Sequence, residues 1–119
     1  MSLCIAGGAV ALRLAVAAFT LGWTHSVERV RWEEDWVTGP AGLSLVEARI
    51  RGSGAGMEPA PDARLEAGWW RWHPADRPRA EVVLAASGAT AGGWSLCAAG
   101  ECRELGAVAG GPLRLYACD

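Results

Sequence analysis

Residues 19–37 read FTLGWTHSVERVRWEEDWV, and two alternating patterns within them decide the fold class. Phe19, Leu21 and Trp23 alternate with small or polar residues, and a second alternation runs from residue 30 to residue 37. A period of two places successive side chains on opposite faces of an extended chain. Both segments are therefore predicted to be half-buried β-strands, joined by a short polar segment.

The second strand has one aromatic face and one charged face. Trp32, Glu34 and Trp36 share a face because their spacing is even. The opposite face carries the charged side chains of Arg31, Glu33 and Asp35. We therefore expect the Trp32 and Trp36 indoles to lie on the inner face, and we interpret the charged residues as a solvated surface. Glu34 is a candidate binding residue because it alone of the acidic run lies beside the tryptophans.

The rest of the chain continues the strand pattern. Turn residues recur every 8–15 residues, as at Gly7-Gly8 and from Gly39 to Gly42, and no window shows sustained helical spacing. Leu65 to Trp72 is predicted to be one strand. Such spacing is typical of a β-sandwich or a small barrel. The sequence predicts a single all-β domain over residues 1–119, with roughly 8–10 short antiparallel strands.

The N-terminal segment resembles a membrane span but has the wrong details. Leu3 to Trp23 is apolar, with Arg13 as its only charge, and Gly7-Gly8 divides it. An arginine at the bilayer centre costs about 3 kcal/mol on insertion scales. No basic residue precedes the apolar run, as a signal peptide would require. We expect strands packed into the main sheet, no membrane span, no cleaved signal peptide and a cytoplasmic location. An export or membrane segment, with the protein at the periplasmic face, is the alternative.

Composition excludes several classes of function. The formal net charge is −2, which argues against nucleic-acid binding, since that requires a basic patch. All eleven positive charges are arginine, so chemistry that needs a lysine, such as a Schiff base or a phosphate-loop lysine, is excluded. No cofactor and no metal are expected. Seven tryptophans either fill the core or form a surface on which ring ligands stack.

The polar segment after the first strand carries the candidate functional residues His25, Ser26 and Glu28. Neighbouring side chains on a strand point to opposite faces, so His25 and Ser26 do not pair as base and nucleophile on a regular strand. A ligand contact and a structural role at the strand end are the alternatives to catalysis. We predict that these residues mark the functional site, with the glycine-rich loop 52–56 folding over the same end and Gly54 near His25.

The four cysteines leave three states open. If Ala99-Gly100 forms a two-residue hairpin turn, Cys97 faces Cys102 with about 4.5 Å between their α-carbons, a distance that a disulfide spans. Free thiols and a zinc site are the alternatives, although the chain has no C-x2-C pair. Oxidation requires an oxidising compartment. The remaining cysteines are Cys4 and Cys118.

Two motifs resemble those of a bacterial family. The stretch FTLGWTHSVE at residues 19–28, followed by WEEDW at 32–36, resembles the signature of the DUF1850 family, a domain of unknown function. The loop GSGAGMEP at residues 52–59 and the segment WSLC at 94–97 are also similar. Three residues of this loop are further candidate binding residues: Gly54, Gly56 and Met57. The resemblance implies an accessory role beside TAXI-class TRAP solute transporters, and no reaction.

The sequence leaves three functions open. The first is a non-enzymatic accessory or binding module whose partners are TRAP transporter subunits. The second is an enzyme that uses His25 with a carboxylate. The third is a binding protein for ring or carboxylate ligands, built on exposed tryptophans and His25. The positions of four indoles discriminate, since joint burial counts against the third function: Trp32, Trp36, Trp70 and Trp72.

Overall fold

The computed structural model describes residues 1–8, 10–24, 30–51, 59–86, 93–107 and 109–119. Within them the regular structure is all strand, and the strands form two antiparallel sheets. The strands are β1 (Ser2–Gly7), β2 (Val10–Leu14), β3 (Ala18–Thr24), β4 (Arg31–Gly39), β5 (Gly42–Arg51), β6 (Arg64–Glu66), β7 (Trp69–Trp72), β8 (Val82–Leu84), β9 (Trp94–Ala98), β10 (Glu101–Leu105) and β11 (Leu113–Cys118). The predicted all-β fold is confirmed, and of the two predicted architectures, sandwich or small barrel, the structure is the sandwich.

One predicted strand is a hairpin, which helps to explain why the described residues hold eleven strands. The stretch predicted as a single strand from Leu65 to Trp72 is divided into β6 and β7 by Ala67 and Gly68. Both turn residues have positive φ, 51° for Ala67 and 85° for Gly68. That pattern matches the tight turn that antiparallel strands prefer. An alanine in the first position gives little sign of such a turn in the sequence.

The large sheet has the order β10-β9-β3-β4-β5-β7-β6, and the small sheet has the order β2-β1-β11-β8. The N-terminal apolar segment forms strands, as predicted. However, β1 and β2 lie in the small sheet, and only β3 belongs to the large one. In the part of the chain that the structure describes, no helix has the length and apolar character needed to cross a bilayer.

The core lies between the sheets, on half of the inner face of the large sheet. Phe19 and Leu21 from β3, with Trp36 from β4, pack against residues of the small sheet such as Ile5 and Leu115. Trp36 is 2% exposed and stacks on Phe19, with ring centroids 6.4 Å apart. The other half of the inner face carries Ala48 and Ile50, which are buried outside this core cluster, together with half-buried tryptophans.

All four cysteines are paired in disulfides. Cys97 lies opposite Cys102 in the β9–β10 hairpin, with their α-carbons 4.0 Å apart and Ala99-Gly100 as the turn. Cys4 is joined to Cys118 across the central pair of the small sheet, β1 and β11. The second pairing connects the two ends of the described chain and was not anticipated, since connectivity is not readable from sequence alone.

Candidate functional site

Four tryptophans form a continuous row across the large sheet, which we call the indole row: Trp94, Trp23, Trp32 and Trp72. Trp23 stacks on Trp32 with centroids 5.8 Å apart, and Trp94 tilts against Trp23 at 5.0 Å. Trp72 meets Trp32 edge-on at 6.4 Å. All four side chains are half-buried. The row exists because antiparallel register places Trp23 directly opposite Trp32, on the face that alternation assigned to both.

The indole nitrogens of the inner face differ in their hydrogen bonds. The Trp94 N–H donates to the carbonyl of Ala85 at 2.9 Å, and the Trp36 N–H donates to Glu34 at 3.3 Å. The Trp32 N–H is buried and has no acceptor among the described residues. A buried donor without an acceptor is unfavourable for folding. The indole row therefore contains a buried N–H donor without a hydrogen bond to the described residues, whereas the Trp36 N–H in the core beside it is hydrogen-bonded.

Glu34 lies on the inner face at the border between the core and the indole row. In the sheet register it stands between Leu21 of β3 and Ala48 of β5, two buried apolar residues. Its carboxylate accepts the Trp36 hydrogen bond and forms no salt bridge with any described residue. Burial raises the pKa of Glu34 above the ordinary value of 4.5, and the Trp36 hydrogen bond opposes this only in part.

Arg79 approaches Glu34 from the segment between β7 and β8. Its backbone bonds to that of Leu43 in both directions at 2.8 Å, and its guanidinium lies 5.6 Å from the centre of the Trp36 ring. Asp76 binds this guanidinium at 2.6 Å. The charge of Arg79 favours the ionised form of Glu34, and the charge of Asp76 opposes it. The nearby cation is thus already engaged by another carboxylate.

The outer face of the same sheet is a network of paired charges centred on Arg49 of β5. The guanidinium contacts three carboxylates, Glu33 at 2.9 Å, Asp35 at 2.8 Å and Glu47 at 2.7 Å. Arg71 also binds Glu47, at 3.0 Å. The Arg49 side chain is only 12% exposed. The charged face predicted from the sequence is therefore present, and its charges are bound to one another as well as exposed to solvent.

Electrostatics differ sharply between the two faces. Burial alone would raise the pKa of Asp35, but hydrogen bonds from Arg49 and Thr20 outweigh it and lower that pKa below the ordinary value. Burial acts against the charge of Arg49 too, yet its bonds to Asp35 and Glu47 raise its pKa. The outer face thus stabilises its charged forms.

Several predicted site residues fall outside the described part of the chain: His25, Ser26, Glu28, Gly54, Gly56 and Met57. The described residues that flank these segments do lie together. Thr24 pairs with Arg31, and the neighbouring row joins Trp32 to Ile50, next to Arg51 at the end of β5. Both segments therefore begin at one end of the large sheet, which we call the loop end.

Glu34 and the cysteine pair lie in different places. Glu34 is three residues along β4 from the loop end, on the inner face. Cys97 is opposite Thr20, in the same outer-face row as Asp35. The structure therefore places Glu34 on the inner face, two residues along β4 from Trp32 of the indole row, and leaves the disulfide on the outer face.

Trp23, Trp94 and Arg79 are the members of this site that sequence reasoning missed. The alternation ending at Trp23 was a usable signal, since it placed Trp23 on the same face as Leu21. The contacts of Trp94 and Arg79 depend on pairings between segments distant in sequence. In the described residues no group of three or more His, Cys, Asp or Glu side chains is arranged to hold a metal ion.

Comparison with known proteins gives a family and nothing finer. No curated protein matches the chain, and no solved structure does. A family model described as "Domain of unknown function (DUF1850)" matches residues 19–105. These residues run from β3 to the end of β10 and include the indole row and Glu34. Because the match covers most of the sequence, the chain belongs to the DUF1850 family.

Proposed function

We propose that this protein is a non-enzymatic binding module that serves a TAXI-class TRAP transporter, and that its partner docks on the indole row beside Glu34. The observation that carries the proposal is the state of Glu34, a half-buried carboxylate with one hydrogen bond and no salt bridge to the described residues. The transporter link is supported by the resemblance of residues 19–36 and 52–59 to the family motifs.

A carboxylate in this position carries a stability cost. Removing a charge from water is unfavourable unless hydrogen bonds and opposite charges replace the lost hydration. The single bond from Trp36, at 3.3 Å, is a weak replacement. Groups held at such a cost concentrate at functional sites, where the missing partner comes from a ligand. A cation or a hydrogen-bond donor on the partner would supply what Glu34 lacks.

The indole row supplies the rest of the contact. Tryptophan is enriched at binding hot spots because it buries a large area with little conformational freedom to lose. The four indoles are held against one another, and each is partly exposed. A partner that covers them gains apolar burial without rearranging the sheet.

The proposed docking surface also includes the predicted site at His25, Ser26 and Glu28, together with the glycine-rich segment 52–56. This is supported by the positions of Thr24 and Arg51, the residues that precede the two segments. Both lie at the loop end, one residue beyond the row of paired residues that contains Trp32. Loops displayed by a rigid sheet are the usual carriers of binding groups. His25 and the amide of Gly54 would add polar contacts beside the indoles.

The proposed compartment is an oxidising one, on the periplasmic side. Its support is that all four cysteines are joined in two disulfides. Disulfides persist in oxidising compartments and are rare in the cytosol. The expectation of a cytoplasmic location came from the N-terminal residues alone and stays a prediction that this pairing weighs against.

A small ring or carboxylate ligand is the second candidate. It is favoured by the indole row, whose ring faces are suited to stacking. Burial of Trp36 in the core removes one of the four indoles that would have formed such a surface, while Trp32 and Trp72 remain on it. Titration of ring ligands with indole fluorescence as the readout tests this candidate directly.

The test of the transporter link is a pull-down with the subunits of a TAXI-class TRAP transporter from the same organism. The wild-type protein should retain a TRAP subunit, and His25→Ala should retain less while keeping its melting temperature. Failure of the wild type to retain any of these subunits would contradict the transporter link. Equal retention by a folded His25→Ala variant would remove His25 from the site.

A further inference from the structure

The Cys97–Cys102 disulfide lies on the outer face of the large sheet, away from the loop end. We propose that it is a thiol–disulfide exchange site, which accepts two electrons from a dithiol protein while the Cys4–Cys118 disulfide stays closed. The inference is independent of the transporter role, since it rests on the position and surroundings of these sulfurs alone.

The two disulfides differ in accessibility. Cys102 is exposed and lies on β10, an edge strand of the large sheet. Cys97 lines an open groove of about 420 Å³ together with Val37 and Val46, which are 38% and 44% exposed. Cys4 and Cys118 are half-buried on the two central strands of the small sheet. Exposed disulfides are the labile ones, so a thiol reaches Cys102 most easily.

The disulfides also differ in what they hold together. Cys97 and Cys102 are 5 residues apart, whereas Cys4 and Cys118 are 114 apart. A short cross-link constrains the unfolded chain much less than a long one. The β9–β10 hairpin keeps its backbone pairing when its disulfide opens, since Ala98 pairs with Glu101 on the turn side of the cysteine pair and Leu96 pairs with Arg103 beyond it. Reduction at this site therefore leaves the fold in place.

Ser95 is placed to assist the reaction. Its hydroxyl lies 3.6 Å from the sulfur of Cys97 and is the only possible donor of that pair while Cys97 is oxidised. A donor beside a sulfur stabilises the thiolate when that sulfur becomes the leaving group. The geometry therefore assigns Cys102 as the sulfur attacked and Cys97 as the sulfur released.

The dithiol supplies the two electrons and two protons that reduction of this disulfide requires. Its first thiolate attacks the sulfur of Cys102, a mixed disulfide forms, and the Cys97 thiolate leaves and takes up a proton. The second thiol of the dithiol then loses its proton and attacks the mixed disulfide, which releases Cys102 as a thiolate that is protonated in turn. The net result is reduction of the Cys97–Cys102 disulfide and oxidation of the dithiol, with two electrons and two protons transferred.

A timed reduction of the folded protein tests the proposal. Dithiothreitol is added without denaturant, samples are quenched with N-ethylmaleimide, and labelled peptides are mapped by mass spectrometry. Cys97 and Cys102 should be labelled at least about tenfold sooner than Cys4 and Cys118, with the circular dichroism spectrum unchanged at that stage. Simultaneous labelling of all four cysteines, or earlier labelling of Cys4 and Cys118, would overturn the proposal.

Glutathione identifies the sulfur that is attacked. Glutathione is added first, and N-ethylmaleimide is added after a short delay to quench the reaction and trap the released thiol. The glutathione adduct should form on Cys102 and the maleimide on Cys97. The Ser95→Ala variant should be reduced about threefold more slowly at this disulfide, while reduction of Cys4–Cys118 keeps its rate. An adduct on Cys97, or an unchanged rate in the folded Ser95→Ala variant, would contradict the assigned roles.

Discussion

The two faces of the large sheet differ in how their charged side chains are paired. On the outer face, Arg49 is bound to three carboxylates, and the pKa of Asp35 is lowered. On the inner face, Glu34 has one hydrogen bond and no salt bridge to the described residues, and its pKa is raised. Glu34 and Asp35 are adjacent in sequence, so this contrast arises from the alternation of a strand and from the partners on each face.

The contrast separates a structural role from a functional one. The three outer carboxylates are each paired with Arg49, although the Arg71 Nε–H is buried without an acceptor among the described residues, so stability explains the arrangement of these carboxylates. The inner carboxylate destabilises the fold at neutral pH, and the surrounding indoles are only partly covered. A half-buried charge that lowers the stability of the fold has no structural role. We therefore expect it to contact a partner. Substitutions on each face test whether these two roles can be separated.

The largest effect should come from the core half of the inner face. Trp36→Ala removes a side chain that is 2% exposed and should lower the free energy of unfolding by about 3–5 kcal/mol. Trp32→Ala removes a half-buried indole from the same face of the same strand and should cost about 1–2 kcal/mol. Urea unfolding measures both values. Equal losses would show that the indole row belongs to the core.

The outer network should respond next. Arg49→Met keeps most of the apolar stem but leaves three carboxylates without their shared cation, and it should cost about 2–4 kcal/mol. Arg31→Met is the matched control, because Arg31 is 35% exposed and its one ion pair with the described residues is to Glu33 at 3.4 Å. It should cost under about 0.5 kcal/mol. Similar losses in the two variants would contradict a network centred on Arg49.

The smallest changes in stability should come from substituting Glu34 and Asp35. Although these residues are adjacent, the two changes should have opposite signs. The pKa of Glu34 is raised in the folded protein. Its favourable contribution to stability is therefore complete below 4.5, its pKa in the unfolded chain, and is lost as the pH rises through its pKa in the folded protein. Glu34→Gln should therefore raise the stability at pH 7 by a few tenths to about 1 kcal/mol, with no gain at pH 4 and below.

Asp35→Asn is the paired variant on the outer face. The pKa of Asp35 is lowered in the folded protein, so its contribution is present above the unfolded value of 3.8 and is lost as pH falls through the folded pKa. The variant should be less stable than the wild type at pH 7, and the difference should shrink in acid. Thermal melts from pH 3 to pH 8 follow both variants, and shifts of the same sign would contradict the opposite roles of these two carboxylates.

The sequence predicted much of this contrast, because alternation depends on local spacing. It assigned the shared face of Trp32, Glu34 and Trp36 and the charged face opposite. It did not show that Trp36 enters the core while Trp32 joins Trp23, since that depends on how far the small sheet extends over β4. The Arg79 contact and the Cys4–Cys118 pair join segments distant in sequence, and no local pattern encodes them.

The affinity of two charge variants for the transporter subunit shows whether the inner face at Glu34 is the binding surface. Glu34→Gln should weaken binding at least about tenfold while its melting temperature is kept or raised. Glu101→Gln makes the same charge change on an 80% exposed side chain at the other end of the sheet and should bind like the wild type. Wild-type affinity in a folded Glu34→Gln variant would contradict binding at this face.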